Sequence, residues 1–166
     1  MHVLDLGTGA GVPGIPLAVC CPDVHVTHLD RSEKKSTFLR RVVASLPLEN
    51  GQPCCSTAED LAHRLRPQEY FDVVVSRGVG RVAHLMRLTA PLLKLGGRLL
   101  LRKPLHTLEL QEAELLRAAQ TWRSIETLPL PWRASTSLGS FVYRAEFSES
   151  MISSAKSRNC WISRKS

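Results

Sequence analysis

Val3-Leu4-Asp5-Leu6-Gly7-Thr8-Gly9-Ala10-Gly11-Val12-Pro13-Gly14 decides how the rest of the chain is read. A short apolar run carries one carboxylate and then breaks into glycines at every second position. The pattern predicts a buried strand over about 2–6 and then a turn whose backbone passes close to a ligand. Three alternating glycines are costly in chain entropy unless backbone approach requires them. Asp30 ends the next apolar run, Val24-His25-Val26-Thr27-His28-Leu29. A glycine turn followed about 20 residues later by an acid at a strand end is the skeleton of a nucleoside-binding α/β domain, the acid taking ribose hydroxyls. Asp5, inside a buried strand, needs hydrogen-bond partners. Bracing the turn through backbone N–H groups and reaching a ligand's ammonium through water are both open to it.

Outward from this turn, apolar runs alternate with amphipathic stretches. A helix is expected from Pro13 toward Cys20, where proline suits the first turn, then a strand over 24–29. The next helix starts at Ser32 as N-cap. Its apolar set, Phe38, Leu39, Val42, Val43 and Leu46, lies on one face of a 3.6-residue repeat. A strand near 53–56, a helix over 58–65 and a strand over 71–76 follow. A further helix spans 81–93, Gly96-Gly97 turns the chain, and a strand covers 98–102. A helix over 107–121 would put Leu108, Leu115, Leu116 and Ala119 inward. Segments 125–128 and 141–147 complete the sheet as an antiparallel edge.

Strands alternating with helices give a mostly parallel, doubly wound α/β sheet. Ligands of such sheets collect outside the carboxyl ends of the strands. That rule gathers the Gly7–Gly11 turn, Asp30, Ala58-Glu59, Ser76-Arg77 and Arg102-Lys103 on one rim.

The bulk properties fit one such domain. The 166 residues suit a single core. Residues 1–147 are read as that domain and 148–166 as a basic, Ser-rich, disordered tail. The net charge of +7, three of it from the tail, is compatible with a polyanionic partner. The five cysteines, Cys20, Cys21, Cys54, Cys55 and Cys160, form no zinc pattern. They are expected as buried, reduced thiols of a cytoplasmic protein, and no metal is expected. No apolar run is long enough to span a bilayer, and no leader precedes the first strand. A sheet strand so close to the start suggests that an upstream segment is missing.

The rim chemistry narrows the ligand. Pro13 removes a backbone N–H from the helix start, where a dinucleotide phosphate would need it. S-adenosylmethionine has no phosphate and loses less, so it is favoured over a dinucleotide. Glu59 either complements a helix dipole or, with Ala58, meets the adenine. After the fourth strand stands Ser76-Arg77-Gly78-Val79-Gly80-Arg81, without an aromatic or an amide acceptor. Arg77, Arg81, Arg102 and Lys103 would form a basic mouth suited to phosphate.

With these residues in view, the chain resembles the RsmG/GidB family of bacterial-type 16S ribosomal RNA guanine-N7 methyltransferases. Four segments carry the resemblance: Leu4 through Ala18, with its Gly-x-Gly-x-Gly-x-Pro-Gly-Ile-Pro-Leu block; His28-Leu29-Asp30 with Lys34-Lys35 and Phe38-Leu39-Arg40; Phe71-Asp72 through Ser76-Arg77; and Pro91-Leu92-Leu93-Lys94 with Gly96-Gly97 through Lys103.

The resemblance implies the class I S-adenosylmethionine-dependent methyltransferase fold (Rossmann-like) and S-adenosylmethionine as cofactor. It implies transfer of a methyl group to N7 of a guanine, with 16S ribosomal RNA or the small ribosomal subunit as partner to a cytoplasmic monomer. By the same resemblance Gly7, Gly9, Gly11 and Val12 line the methionine end; Asp5 joins the cofactor-binding candidates on its own place in the first strand. Asp30 takes the ribose, and Ala58 and Glu59 flank the adenine. Arg77 closes the cofactor site beside the substrate, and Lys103 ends strand five. Arg77 and Lys103 are the catalytic candidates; Arg81, Arg102 and Lys103 are the RNA-binding ones. The chain departs from the family in lacking its N-terminal helical segment. It also carries Gly78 and Gly80 where alanines are usual, Pro104 where glycine is usual, and the basic tail. The alternative reading is a catalytically impaired methyltransferase-like domain that binds RNA or cofactor. A nicotinamide-dependent oxidoreductase and a small-molecule methyltransferase are the other rivals.

Overall fold

The computed structural model describes residues 1–66, 69–77, 80–104, 108, 111, 114–115, 122–129 and 140–147. The elements are β1 (His2–Leu6), α1 (Gly14–Cys20), β2 (His25–Asp30), α2 (Glu33–Ser45), β3 (Gly51–Cys55), α3 (Ala58–Arg64), β4 (Phe71–Arg77), α4 (Val82–Thr89), a 3-10 turn (Ala90–Leu92), β5 (Leu93–Pro104), β6 (Trp122–Pro129) and β7 (Ser140–Phe147). The seven strands form one sheet in the order β3-β2-β1-β4-β5-β7-β6. β1 to β5 pair in parallel, and β7 is antiparallel to both β5 and β6. The doubly wound fold is as the sequence implied. The last two segments form the antiparallel edge as expected, β7 lying one place in and β6 at the border.

Side chains alternate between the two faces of each strand. Leu4, Leu6, Leu29, Val74, Leu99 and Leu101 face α3 and α4, where Leu61, Val82, Leu85 and Met86 complete the larger core. Val3, Val26, Val73 and Val75 face the other way and meet Leu17 and Ala18 of α1. Each fully buried leucine contributes about 1.5–3 kcal/mol of transfer free energy. The structure describes Trp122 as buried in the larger core.

Polar contacts then fix the strand ends. Ser76 Oγ donates to the carbonyl of Leu6 (2.9 Å), tying the carboxyl end of β4 to that of β1. The amides of Gly7 and Thr8 both donate to the carbonyl of Leu29 (2.9 and 3.1 Å), tying β1 to β2. At the opposite end of the sheet Lys94 Nζ reaches Asp72 Oδ1 at 2.7 Å. Asn50, just before β3, uses its side-chain amide on three carbonyls: Ala18 (2.9 Å), Cys21 (3.2 Å) and Val24 (2.9 Å). That amide has two hydrogens, so at least one is shared.

Several expectations shift. α1 begins at Gly14 with Pro13 as its N-cap residue. Ser32 is the N-cap of α2 but makes no side-chain cap bond. On α2, Leu39 is fully buried, whereas Phe38 (49%) and Leu46 (46%) are exposed. The helix is turned because Ser36 is buried and its hydroxyl donates to the Asp30 carbonyl at 3.3 Å. Gly96-Gly97 does not end a segment. It lies inside β5, where Phe71 pairs with Leu93 but Val73 pairs with Arg98, and Gly96 takes a φ of +73°. Cys20 and Cys55 are exposed and Cys21 and Cys54 half-buried, so none of the four described cysteines is buried. Cys160 and the tail lie outside the described residues, as does most of 107–121; Leu108 and Leu115 of that segment are exposed rather than inward.

Candidate cofactor site

The glycine turn leaves β1 with Gly7, Gly9 and Gly11 at φ +68°, +59° and +90°. L-residues pay about 1–2 kcal/mol for that region, so glycine is required by the backbone path. The structure then separates the glycines by what surrounds them. A Cβ on Gly11 would stand 2.5 Å from Ile15 Cγ1 and 2.9 Å from Leu39 Cδ2, and one on Gly14 would stand 2.5 Å from both Asp5 Oδ2 and His28 Nδ1. These two allow close packing of turn, α1 and α2. A Cβ on Gly9 would meet nothing nearer than the Gly7 carbonyl at 3.9 Å. Gly9 therefore leaves its backbone open to an incoming group.

Asp5 braces this turn from below. Its Oδ2 accepts from Thr8 Oγ1 (2.6 Å) and from the Gly14 amide (2.8 Å), while Oδ1 has no hydrogen-bond partner among the described residues. Burial raises its pKa; the Thr8 and Gly14 hydrogen bonds and the Arg77 charge pull the other way. Of the two roles open to Asp5, bracing is the one its contacts display.

His28 is the neighbour that sequence reasoning missed. It is paired with Asp5 in the β1–β2 register and is fully buried, and neither ring nitrogen has a hydrogen-bond partner among the described residues. Burial pushes its pKa down to about 4. The signal was present in Val26-Thr27-His28-Leu29-Asp30, since alternation from buried Val26 points His28 inward.

Asp30 closes β2 with only 6% exposure. Oδ2 accepts from the Gly9 amide (3.1 Å) and from Lys35 Nζ (3.4 Å), and Oδ1 accepts from the Ser32 amide (3.0 Å). The acid is thus joined directly to the open residue of the turn. Next along the rim, Ala58 is buried in the core and Glu59 is exposed, both in the first turn of α3. Thr57 caps that helix, its hydroxyl accepting from the Asp60 amide at 3.1 Å.

On the other side of β1, Arg77 ends β4 two residues beyond Val75, which pairs with Asp5. Arg77 is paired in register with Arg102 of β5, and both are exposed. Paired residues of adjacent parallel strands share a face, so the two arginines leave the sheet on the same side at the carboxyl ends of β4 and β5. Arg81 is exposed at the N-cap of α4. Lys103 follows Arg102 on β5 opposite Phe141 of β7; its side chain lies outside the described residues. Gly78 and Val79 lie outside them too. The rim inferred from the sequence therefore does bring together the glycine turn, Asp30, Ala58-Glu59, Arg77 and Arg102. Val12 is half-buried between Gly11 and Pro13.

Comparison with known proteins follows from this geometry. A family model described as GidB, rRNA small subunit methyltransferase G, matches residues 1–133. The ribosomal RNA small subunit methyltransferase G of Lachnoclostridium phytofermentans is 44% identical over 113 residues, covering 68% of this chain and 47% of the relative. Its counterpart from Ralstonia nicotianae is 38% identical over 132 residues, covering 78% and 56%. The chain spans about half the length of these curated relatives. Among solved structures, precorrin-6y C5,15-methyltransferase from Geobacter metallireducens superposes with a TM-score of 0.65 at 15% identity, covering 88% of this chain and 80% of that one. This last likeness concerns the fold, which is that of class I methyltransferases.

Proposed function

The chain belongs to the rRNA small subunit methyltransferase G (GidB) family, and from that premise we propose that it binds S-adenosylmethionine on the β1–β2 rim and methylates N7 of a guanine in 16S ribosomal RNA. The observation that carries the reading is the Gly9–Asp30 bond, which sets an open backbone turn beside an acid at the end of β2. The residues present fit the cofactor: the Gly9 side is open, and the acid that would take the ribose is next to it. Gly7, Gly9, Gly11 and Val12 would hold the methionine end, with Asp5 beneath them. Asp30 would hold the ribose, and Ala58 and Glu59 the adenine. Bound there, S-adenosylmethionine supplies an electrophilic methyl group on a sulfonium.

Guanine N7 carries an in-plane lone pair and no proton, so the chain has to position the base and not deprotonate it. Arg77 is assigned to orienting the base or its phosphate at the cofactor mouth. Arg102, Arg81 and Lys103 are assigned to the RNA backbone, where guanidinium groups bind phosphate bidentately. The target guanine is read as splayed from its stack. The small ribosomal subunit as partner, a monomeric state and cytoplasmic residence belong to the same proposal.

The test pairs calorimetry with S-adenosylhomocysteine and single-turnover transfer of a labelled methyl group to small-subunit RNA. Strand scission specific for 7-methylguanine then locates the product. Binding plus scission at one guanine is expected. Binding without transfer would instead leave the RNA- or cofactor-binding domain as the reading. Label in any other atom of the RNA would overturn the N7 assignment.

A further inference from the structure

The acceptor sites of Asp30 are nearly full before any ligand arrives. An ionised carboxylate offers about four lone-pair sites, two on each oxygen. Here Oδ2 receives the Gly9 amide at 3.1 Å and Lys35 Nζ at 3.4 Å, and Oδ1 receives the Ser32 amide at 3.0 Å. One site is left, on Oδ1. A ribose 2′,3′-diol brings two donors. One existing partner has to leave before both hydroxyls can bind.

The three partners differ in how easily they leave. Gly9 is fixed by the turn, whose neighbours Gly7 and Thr8 are bonded to Leu29. Ser32 is fixed as the N-cap of α2. Lys35 reaches the acid on four methylenes, and its side chain is 55% exposed against 7% for Asp30. Its ammonium can swing into water and stay solvated, whereas a displaced amide would lose its bond inside the turn.

We propose that Lys35 is an internal competitor for the ribose: its ammonium occupies the acceptor site on Asp30 that the second hydroxyl of a nucleoside requires, so it sets both cofactor affinity and selectivity for an intact diol. The inference rests on the reading that Asp30 takes the ribose. The cation of this pair is solvent-exposed although the carboxylate is not, and holding it there is worth little, which makes it displaceable and limits its effect to about two- to fivefold in affinity. Because salt screens the exposed ammonium, the competition weakens as ionic strength rises.

Calorimetry with S-adenosylhomocysteine and its 2′-deoxy and 3′-deoxy analogues tests this on wild type, Lys35→Met, Lys35→Arg and Asp30→Asn. Lys35→Met should bind the intact nucleoside about two- to fivefold more tightly and gain nothing for one of the two deoxy analogues, the one lacking the hydroxyl that competes with Lys35. Lys35→Arg should behave as wild type. Wild-type affinity should rise with salt, and Lys35→Met affinity should not. If Lys35→Met binds the intact nucleoside equally or less tightly while Asp30→Asn loses binding, Lys35 is no competitor and only this proposal falls. If wild type does not bind, or Asp30→Asn binds as well as wild type, the ribose assignment falls and takes the proposal with it.

Discussion

Asp5 and His28 stand opposite each other in the β1–β2 register, both buried, and each comes within 2.5 Å of the point where a Cβ on Gly14 would lie. One helix-starting glycine therefore lies on two polar side chains from adjacent strands. The contact sets the height of the glycine turn above the sheet.

Gly14→Ala should damage the fold. The added methyl would displace Asp5 or His28 and disturb the Gly14 amide bond to Asp5, costing about 1–3 kcal/mol as overpacking does. Gly9→Ala should behave differently, since its Cβ points into open space and only the φ of +59° is unfavourable. We expect about 1–2 kcal/mol of destabilisation for it, with loss of S-adenosylhomocysteine binding out of proportion. Urea melts beside calorimetry separate the two; equal profiles for both variants would refute the division between packing and ligand-facing glycines.

His28 should make the fold acid-sensitive. Its pKa falls from 6.5 unfolded to about 4 folded, so the unfolded chain takes up a proton that the native one refuses. Stability should be complete above pH 6.5 and decline as pH falls toward 4, by about 1.4 kcal/mol per pH unit. Asp5 acts in the opposite sense. Its raised pKa favours the folded form below 3.8, and that contribution is lost as pH rises through the folded value. His28→Leu should remove the decline between pH 6.5 and 4 and leave two fewer unpaired buried nitrogens. Denaturant melts over that range check it; an unchanged slope in the variant would place the acid sensitivity elsewhere.

Asp30→Asn should weaken S-adenosylhomocysteine binding at least about tenfold, as expected for a buried carboxylate accepting hydroxyl bonds. It should also lower stability by about 1 kcal/mol, because the Gly9 and Ser32 amides lose a charged acceptor. Calorimetry and thermal melts measure both effects.

Arg102→Ala should leave the fold intact or firmer, since like charges directly opposite on neighbouring strands destabilise, whereas Arg77→Ala also removes the charge that favours the buried Asp5 carboxylate and should gain nothing in stability. Each should weaken RNA binding and reduce the slope of log affinity against log salt by about 0.7–1. Fluorescence anisotropy with a small-subunit RNA fragment over a salt series reads this. An unaltered slope would detach the arginine pair from phosphate.

The turn and its acid were legible because both obey backbone rules: positive φ demands glycine, and a strand-end acid follows a buried alternating run. The partners of these groups were not. Ser36, a polar residue, occupies the inner face of α2 because its hydroxyl finds the Asp30 carbonyl. Counting apolar residues therefore turned the helix toward Phe38 and Leu46. His28 looked like any residue of a half-buried strand until the register set it beside Asp5. The length of β5 was hidden because Gly96-Gly97 reads as a terminator, while in the sheet it absorbs an irregularity between two paired stretches. The cysteines were expected inside on residue type alone. Cys54 and Cys55 lie on β3, which has a neighbouring strand on one side only among the described residues.

The three-carbonyl grip of Asn50 has a reach beyond its own corner. α1 is seven residues long, a rod of about two turns, with Asp5 holding its first residue and Asn50 holding the carbonyls at its far end. Such a short strut clamped at both tips has no slack. The helix start that carries the glycine turn is therefore positioned from both sides, by a carboxylate in β1 and by an amide just before β3.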